Sequence, residues 1–135
     1  MSESNAPSKS FRIVHWGAFA FLLLMMLQPT FDNVRALLTG VLIMGGESID
    51  VGISDMLFHY LGMTLGWVGL WWFFKRQRRG AYVTVAAHLC GLTGALTQHP
   101  DLMLAMMPAW AIVVFYLVLF AVALGPVLAF KEEYS

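Results

Sequence analysis

His15, His59, His88 and His99 are the side chains of this 135-residue chain best suited to hold a ligand or a proton. His88 is the most isolated of them. No Lys, Arg, Asp or Glu stands between Arg79 and Asp101, so His88 lies deep in an apolar run, with Thr84 one helical turn before it. Ionisable residues in such runs face a bundle interior and mark function, which makes His88 a candidate contact to haem or quinone. Its plainer role is a neutral imidazole hydrogen-bonded within the bundle, for instance to Thr84. A b-type haem between helices needs two imidazoles at one depth. Folding the chain about residue 77 or 78 sets His88 opposite Trp67, eight residues from His59, or about 12 Å along the axis. His15, near the inner end of the first helix, is offset from His88 as well, so a single iron shared by two of these histidines is not expected.

The same folding brings a second group together. His59 falls level with residue 96, close to His99 in the following loop, with Asp55 one turn before His59 and Asp101 beside His99. Met56, Met103 and Met106 map to this level, as do Met25, Met26, Met44 and Met107. Imidazole with thioether suits copper, and thioether favours Cu(I), whereas His with carboxylate suits zinc better. The candidate metal ligands are therefore His59, His99, Met56, Met103 and Met106. The spacing Met103-x-x-Met106-Met107 is equally that of gap-filling in an apolar helix. No Ser is placed with a His and an acid in a nucleophile motif, no glycine-rich loop follows a strand, and HExxH is lacking, so no catalytic residue is assigned. Cys90, the single cysteine, excludes an internal disulfide and CxxC chemistry and reads as a small buried hydrophobe.

The elements that must position these residues follow from composition and charge. The chain is 59% hydrophobic and 12% charged with mean hydropathy +0.72, well below the roughly 25% charge of soluble domains, which places it in the membrane class. Its formal net charge of zero gives nucleic acid no basic surface to bind. Lys9 and Arg12, then Lys75, Arg76, Arg78 and Arg79, then Lys131 form three clusters separated by apolar runs, and only Arg35 lies apart. Cytoplasmic loops are rich in Lys and Arg, so three clusters on one side require an even number of crossings between each pair.

The expected fold is an all-α integral membrane protein with four transmembrane helices and both termini cytoplasmic, in a bacterial inner membrane. Residues 1–10 read as a disordered tail, 11–130 as the membrane domain and 131–135 as a cytoplasmic tail. The first span, Phe11 to Leu27, reaches roughly 26 Å; it is followed by no small-x-small cleavage site and is read as uncleaved. Ala36 to Met44 is too short to span and reads as an interfacial or re-entrant helix, ended by Gly45-Gly46. The second span, Met56 to Phe74, starts at Ser54-Asp55; the third runs from Ala81 to Leu96 and the fourth from Pro108 to Phe130. No internal repeat is evident, which counts against an inverted-repeat transporter.

In lipid, helices meet where small residues let backbones approach. Gly62, Gly66 and Gly69 on the second span and Ala87, Gly91 and Ala95 on the third predict a closely packed hairpin. Three functional classes follow: a non-catalytic accessory subunit of a larger membrane complex or homo-oligomer; a copper or redox site protein using the outer cluster or His88; and a small oligomeric transporter. The expected partners are the lipid bilayer and other membrane subunits or further copies of the chain.

Overall fold

The computed structural model describes residues 7–44 and 46–135. Ser8 caps the first helix, its hydroxyl accepting from the Phe11 N–H at 3.1 Å. That helix, α1 (Lys9–Thr39), is far longer than the run Phe11 to Leu27, because Pro29 does not stop it. Proline removes one N–H from the ladder, and the next residue supplies an extra bond: the Thr30 hydroxyl donates to the Met26 carbonyl at 2.7 Å and accepts from the Trp67 indole at 2.9 Å. The carbonyl that proline frees is that of Met25, and these bonds brace the turn beside it, as neighbouring side chains do where proline is tolerated inside an apolar helix. The helix ends at Gly40, whose φ of +71 is the left-handed cap glycine adopts without penalty.

The expected interfacial helix over Ala36 to Met44 is therefore incorrect. Ala36 belongs to α1, and the chain continues as an antiparallel hairpin of β1 (Val41–Met44) and β2 (Glu47–Asp50), in register from Val41 opposite Asp50 to Met44 opposite Glu47. Two glycines between short strand segments are a hairpin signal, and Gly46, at φ +86, provides the turn rather than a helix end. Gly45 and residues 1–6 of the expected tail lie outside the described residues; Lys9 and Ser10 are already helical.

Three further long helices follow: α2 (Ile53–Phe74), α3 (Arg78–Gln98) and α5 (Ala109–Ala129), with a short α4 (Pro100–Met106) between the last two and a 3-10 turn at Lys131–Glu133. Among the described residues, α1, α3 and α5 are long and apolar enough to cross a membrane. Outward side chains such as Trp110 (71% exposed) and Leu117 (62% exposed) suit lipid rather than water.

Helices α2 and α3 form the close hairpin that their small residues predict. A Cβ on Gly62 would lie 3.2 Å from the Ala87 carbonyl oxygen, and one on Gly69 2.7 Å from the Thr84 nitrogen. Gly80 against the Phe73 backbone and Gly94 against the Phe58 side chain extend the contact and were not among the expected packing residues. Gly66 faces the Met26 thioether of α1 as well as Ala87, so it joins three helices rather than two, while a Cβ on Gly91 would enter open space. Ala87 and Ala95 are buried.

The apolar core gathers at the end of the bundle that carries the basic clusters. Phe11, Leu22, Leu70, Phe73, Ala123 and Val127 pack there with Tyr134. Residues 131–135 are not a loose tail. The Ser135 N–H donates to the Arg76 carbonyl at 2.9 Å, the Arg78 guanidinium donates to the carbonyls of Lys131 (2.7 Å) and Tyr134 (3.1 Å), and the Ser8 N–H donates to Glu133 at 3.3 Å. These contacts hold Lys9, the Lys75–Arg79 loop and Lys131 at one end.

Candidate histidine cavity

Pairs across the hairpin set the depth of every candidate. Ser54 meets Gln98, Phe58 meets Gly94, Gly62 meets Gly91 and Gly66 meets Ala87, so the position opposite His88 is Leu65 rather than Trp67. His59 is six residues from that level, an axial offset of about 9 Å rather than 12 Å. Both imidazoles nevertheless line one cavity of about 100 Å³ between α1, α2 and α3, because Gly62, Ala87 and Gly91 withhold the side chains that would fill it. Met26, Pro29 and Asn33 of α1 and Met63 of α2 complete its wall.

The His88 ring is fixed by its partner. Its Nδ1 lies 2.8 Å from the Thr84 carbonyl oxygen, which only accepts, so Nδ1 carries the proton and the Nε2 lone pair of the neutral ring is left free. The expected link to Thr84 thus exists through the backbone; the Thr84 hydroxyl is buried with no hydrogen-bond partner. A cavity of this size holds an ion or a few waters and is well below the roughly 300–1,000 Å³ of sites that enclose organic ligands.

A second, polar cavity of about 430 Å³ lies toward the hairpin end, lined by Asp32, Arg35, Leu42 and Met106 among others. Pro29, Asn33 and His59 line both cavities, so these three side chains stand between one and the other.

The expected outer cluster is assembled only in part. His99 Nε2 donates to Asp55 at 2.9 Å, and the other Asp55 oxygen accepts from the Gly52 N–H at 3.2 Å, tying the start of α2 to the loop after α3. His59 is within electrostatic reach of both Asp55 and His99. Met106 shares the polar cavity with His59, whereas Met56 and Met103 line neither cavity. Among the described residues, no three His, Cys, Asp or Glu side chains are arranged to hold a metal ion. Cys90 is half-buried with its thiol 3.8 Å from the Phe58 carbonyl oxygen, as a small packed hydrophobe would be.

His15, at the basic end, is wholly buried. Its ring stacks against Phe73 and Phe11, with centroids 5.1 and 5.4 Å apart, and its Nδ1 is 2.7 Å from the Tyr134 hydroxyl, while Nε2 has no partner. Burial raises the Tyr134 hydroxyl above its ordinary pKa, an effect the nearby Arg76 charge partly opposes.

Asn33 and Met63 were not singled out from the sequence, and Met26 only as one of the methionines at the outer level, although the signal was periodicity. Met26, Pro29 and Asn33 fall at i, i+3 and i+7, and His59, Gly62 and Met63 at i, i+3 and i+4. The α1 set is visible only if the helix is carried through Pro29.

These features define a helical bundle with candidate membrane-crossing helices. No family model matches the chain, and no curated protein or solved structure matches it either.

Proposed function

We propose that the chain is a four-span protein of a bacterial inner membrane, with its basic end cytoplasmic, serving as a non-catalytic subunit of a larger membrane assembly or homo-oligomer. The joined basic clusters support the orientation, since a single end carries seven of the eight Lys and Arg residues. The fourth span is α2. It has 22 residues and packs antiparallel against α3 from Ser54–Gln98 to Phe73–Gly80, so a bilayer crossed by one is crossed by the other.

The observation that carries the subunit reading is the groove between α1 and α5. Gly17, Ala18, Ala121, Gly125 and Ala129 line it, and a Cβ on Gly17 or Gly125 would touch nothing within 4 Å. Inside this chain, small residues serve to bring α2 and α3 into backbone contact. The same kind of surface left uncovered on α1 and α5 fits a further transmembrane helix, supplied by another subunit.

The test is the size and composition of the protein purified from its native membrane in mild detergent. The wild type is expected to run as an assembly, with itself or with another polypeptide. Gly125→Leu should release it as a monomer with its melting temperature unchanged. A wild-type monomer without companions would overturn the reading.

A further inference from the structure

We propose that the cavity between α1, α2 and α3 is a binding site for one soft monovalent cation of the Cu(I) class, held by His88 Nε2 and the thioethers of Met26 and Met63. Contact pairs place these three residues within about one helical turn of one another in depth. Met26 lies against Gly66, Gly66 meets Ala87, and Met63 is one turn from Gly66 on the same helix. His59 and Asn33 lie further toward the hairpin end, where the Tyr60 hydroxyl donates to the Asn33 carbonyl at 3.1 Å.

The donor chemistry selects the ion. All three donors are uncharged and two are thioethers, which prefer Cu(I) to hard cations. The cavity wall carries no carboxylate. A divalent ion would there keep its charge uncompensated in a low-dielectric interior, at high cost, whereas a monovalent soft ion carries half that charge and bonds more covalently. His88 also has the arrangement typical of a metal-binding imidazole, with one ring nitrogen donating to a backbone carbonyl and the other free. A buried ion site needs an entry path. The polar cavity adjoins the site across Pro29, Asn33 and His59, and an ion arriving that way would pass Met106 in its wall. This site differs from the outer His59/His99 cluster expected from the sequence and does not depend on the subunit reading.

The test uses the full chain in detergent, loaded with Cu(I) under reducing conditions and challenged with a chromophoric Cu(I) chelator, with Ag(I) as a redox-inert probe. The wild type should retain one ion per chain, and X-ray absorption should show nitrogen at about 2.0 Å and sulfur at about 2.3 Å, as for other N/S sites. Met63→Leu keeps side-chain volume and should weaken retention at least about tenfold, one lost ligand being worth that much or more, with an unchanged melting temperature. His88→Gln should abolish retention. His59→Ala should slow loading and leave equilibrium occupancy intact. Failure of the wild type to retain Cu(I) or Ag(I), wild-type retention by both Met63→Leu and His88→Gln, or an absorption spectrum without sulfur would each overturn the proposal.

Discussion

The buried imidazole at the basic end joins three parts of the chain through one side-chain pair. His15 on α1 and Tyr134 in the last residues are 119 positions apart and meet at 2.7 Å inside an aromatic cage that includes Phe73 of α2. Tyr134→Phe leaves the His15 Nδ1 unpaired in that cage, and a buried polar group stripped of its partner costs about 1–3 kcal/mol. A lower melting temperature in detergent is the expected result. His15→Phe combined with Tyr134→Phe removes both polar partners and should recover most of the loss, since apolar replacement of a whole buried pair is close to neutral. Alkali gives an independent check. The folded state holds the Tyr134 proton more tightly than the unfolded chain does, so this contribution is fully present below about pH 10 and is lost as pH rises beyond it. Wild-type stability should therefore fall more steeply above pH 10 than that of Tyr134→Phe. None of this was legible in the sequence: His15 could be placed near the helix end, but nothing local in MSESNAPSKS or KEEYS tells which distant ring closes over it.

At the scale of elements, what could be read depended on whether the deciding contacts were local. The α2–α3 hairpin was legible because Gly62, Gly66, Gly69, Ala87 and Ala95 recur at helical spacing on both sides of a short basic loop. The region around Pro29 was not. The apolar run ends at Leu27, yet Thr30 and Trp67 support the helix beyond Pro29, and part of that support comes from a second element. The loop itself shows a similar override. Arg76 adopts φ +56 where glycine is usual, with the Arg76 and Gln77 N–H groups donating to the carbonyls of Phe73 and Trp72, and its guanidinium lies 5.2 Å from the Phe11 ring centroid. The glycines now separate into classes with different expected outcomes. Gly80→Ala sets a methyl against the Phe73 backbone, which has no flexible side chain to yield, and should lower the melting temperature sharply. Gly66→Ala crowds the movable end of Met26 and touches Ala87 only at ordinary contact distance, so it should be milder. Gly91→Ala meets nothing within 4 Å and should stabilise by up to about 1 kcal/mol, the helix preference for alanine over glycine. Thermal unfolding of the three variants in one detergent checks the order, and equal loss in all three would contradict the packing.

At the scale of the whole molecule, charge and length together make the proposed orientation testable against a specific rival. Helix α1, with 31 residues, is about 46 Å long, well over the roughly 30 Å of a hydrocarbon core, so an upright α1 would carry Gly40 and the β-hairpin clear of the bilayer. Asp55, His99 and Asp32 lie at that end, and Lys9, Lys75 and Lys131 at the other. If α2 crosses the membrane with α3, Ser48 in β2 and Gln77 in the basic loop lie on opposite sides. If only α1, α3 and α5 cross, α2 no longer separates them and the two positions share a side. In a Cys90→Ala background, a membrane-impermeant maleimide added to intact cells should label Ser48→Cys and spare Gln77→Cys until the membrane is opened. Labelling of Gln77→Cys alone would invert the orientation, and equal labelling of both would return the molecule to three spans. Either outcome would detach the basic clusters from the cytoplasmic face. The cavity that Asp32 and Arg35 border would then need its side of the membrane assigned afresh.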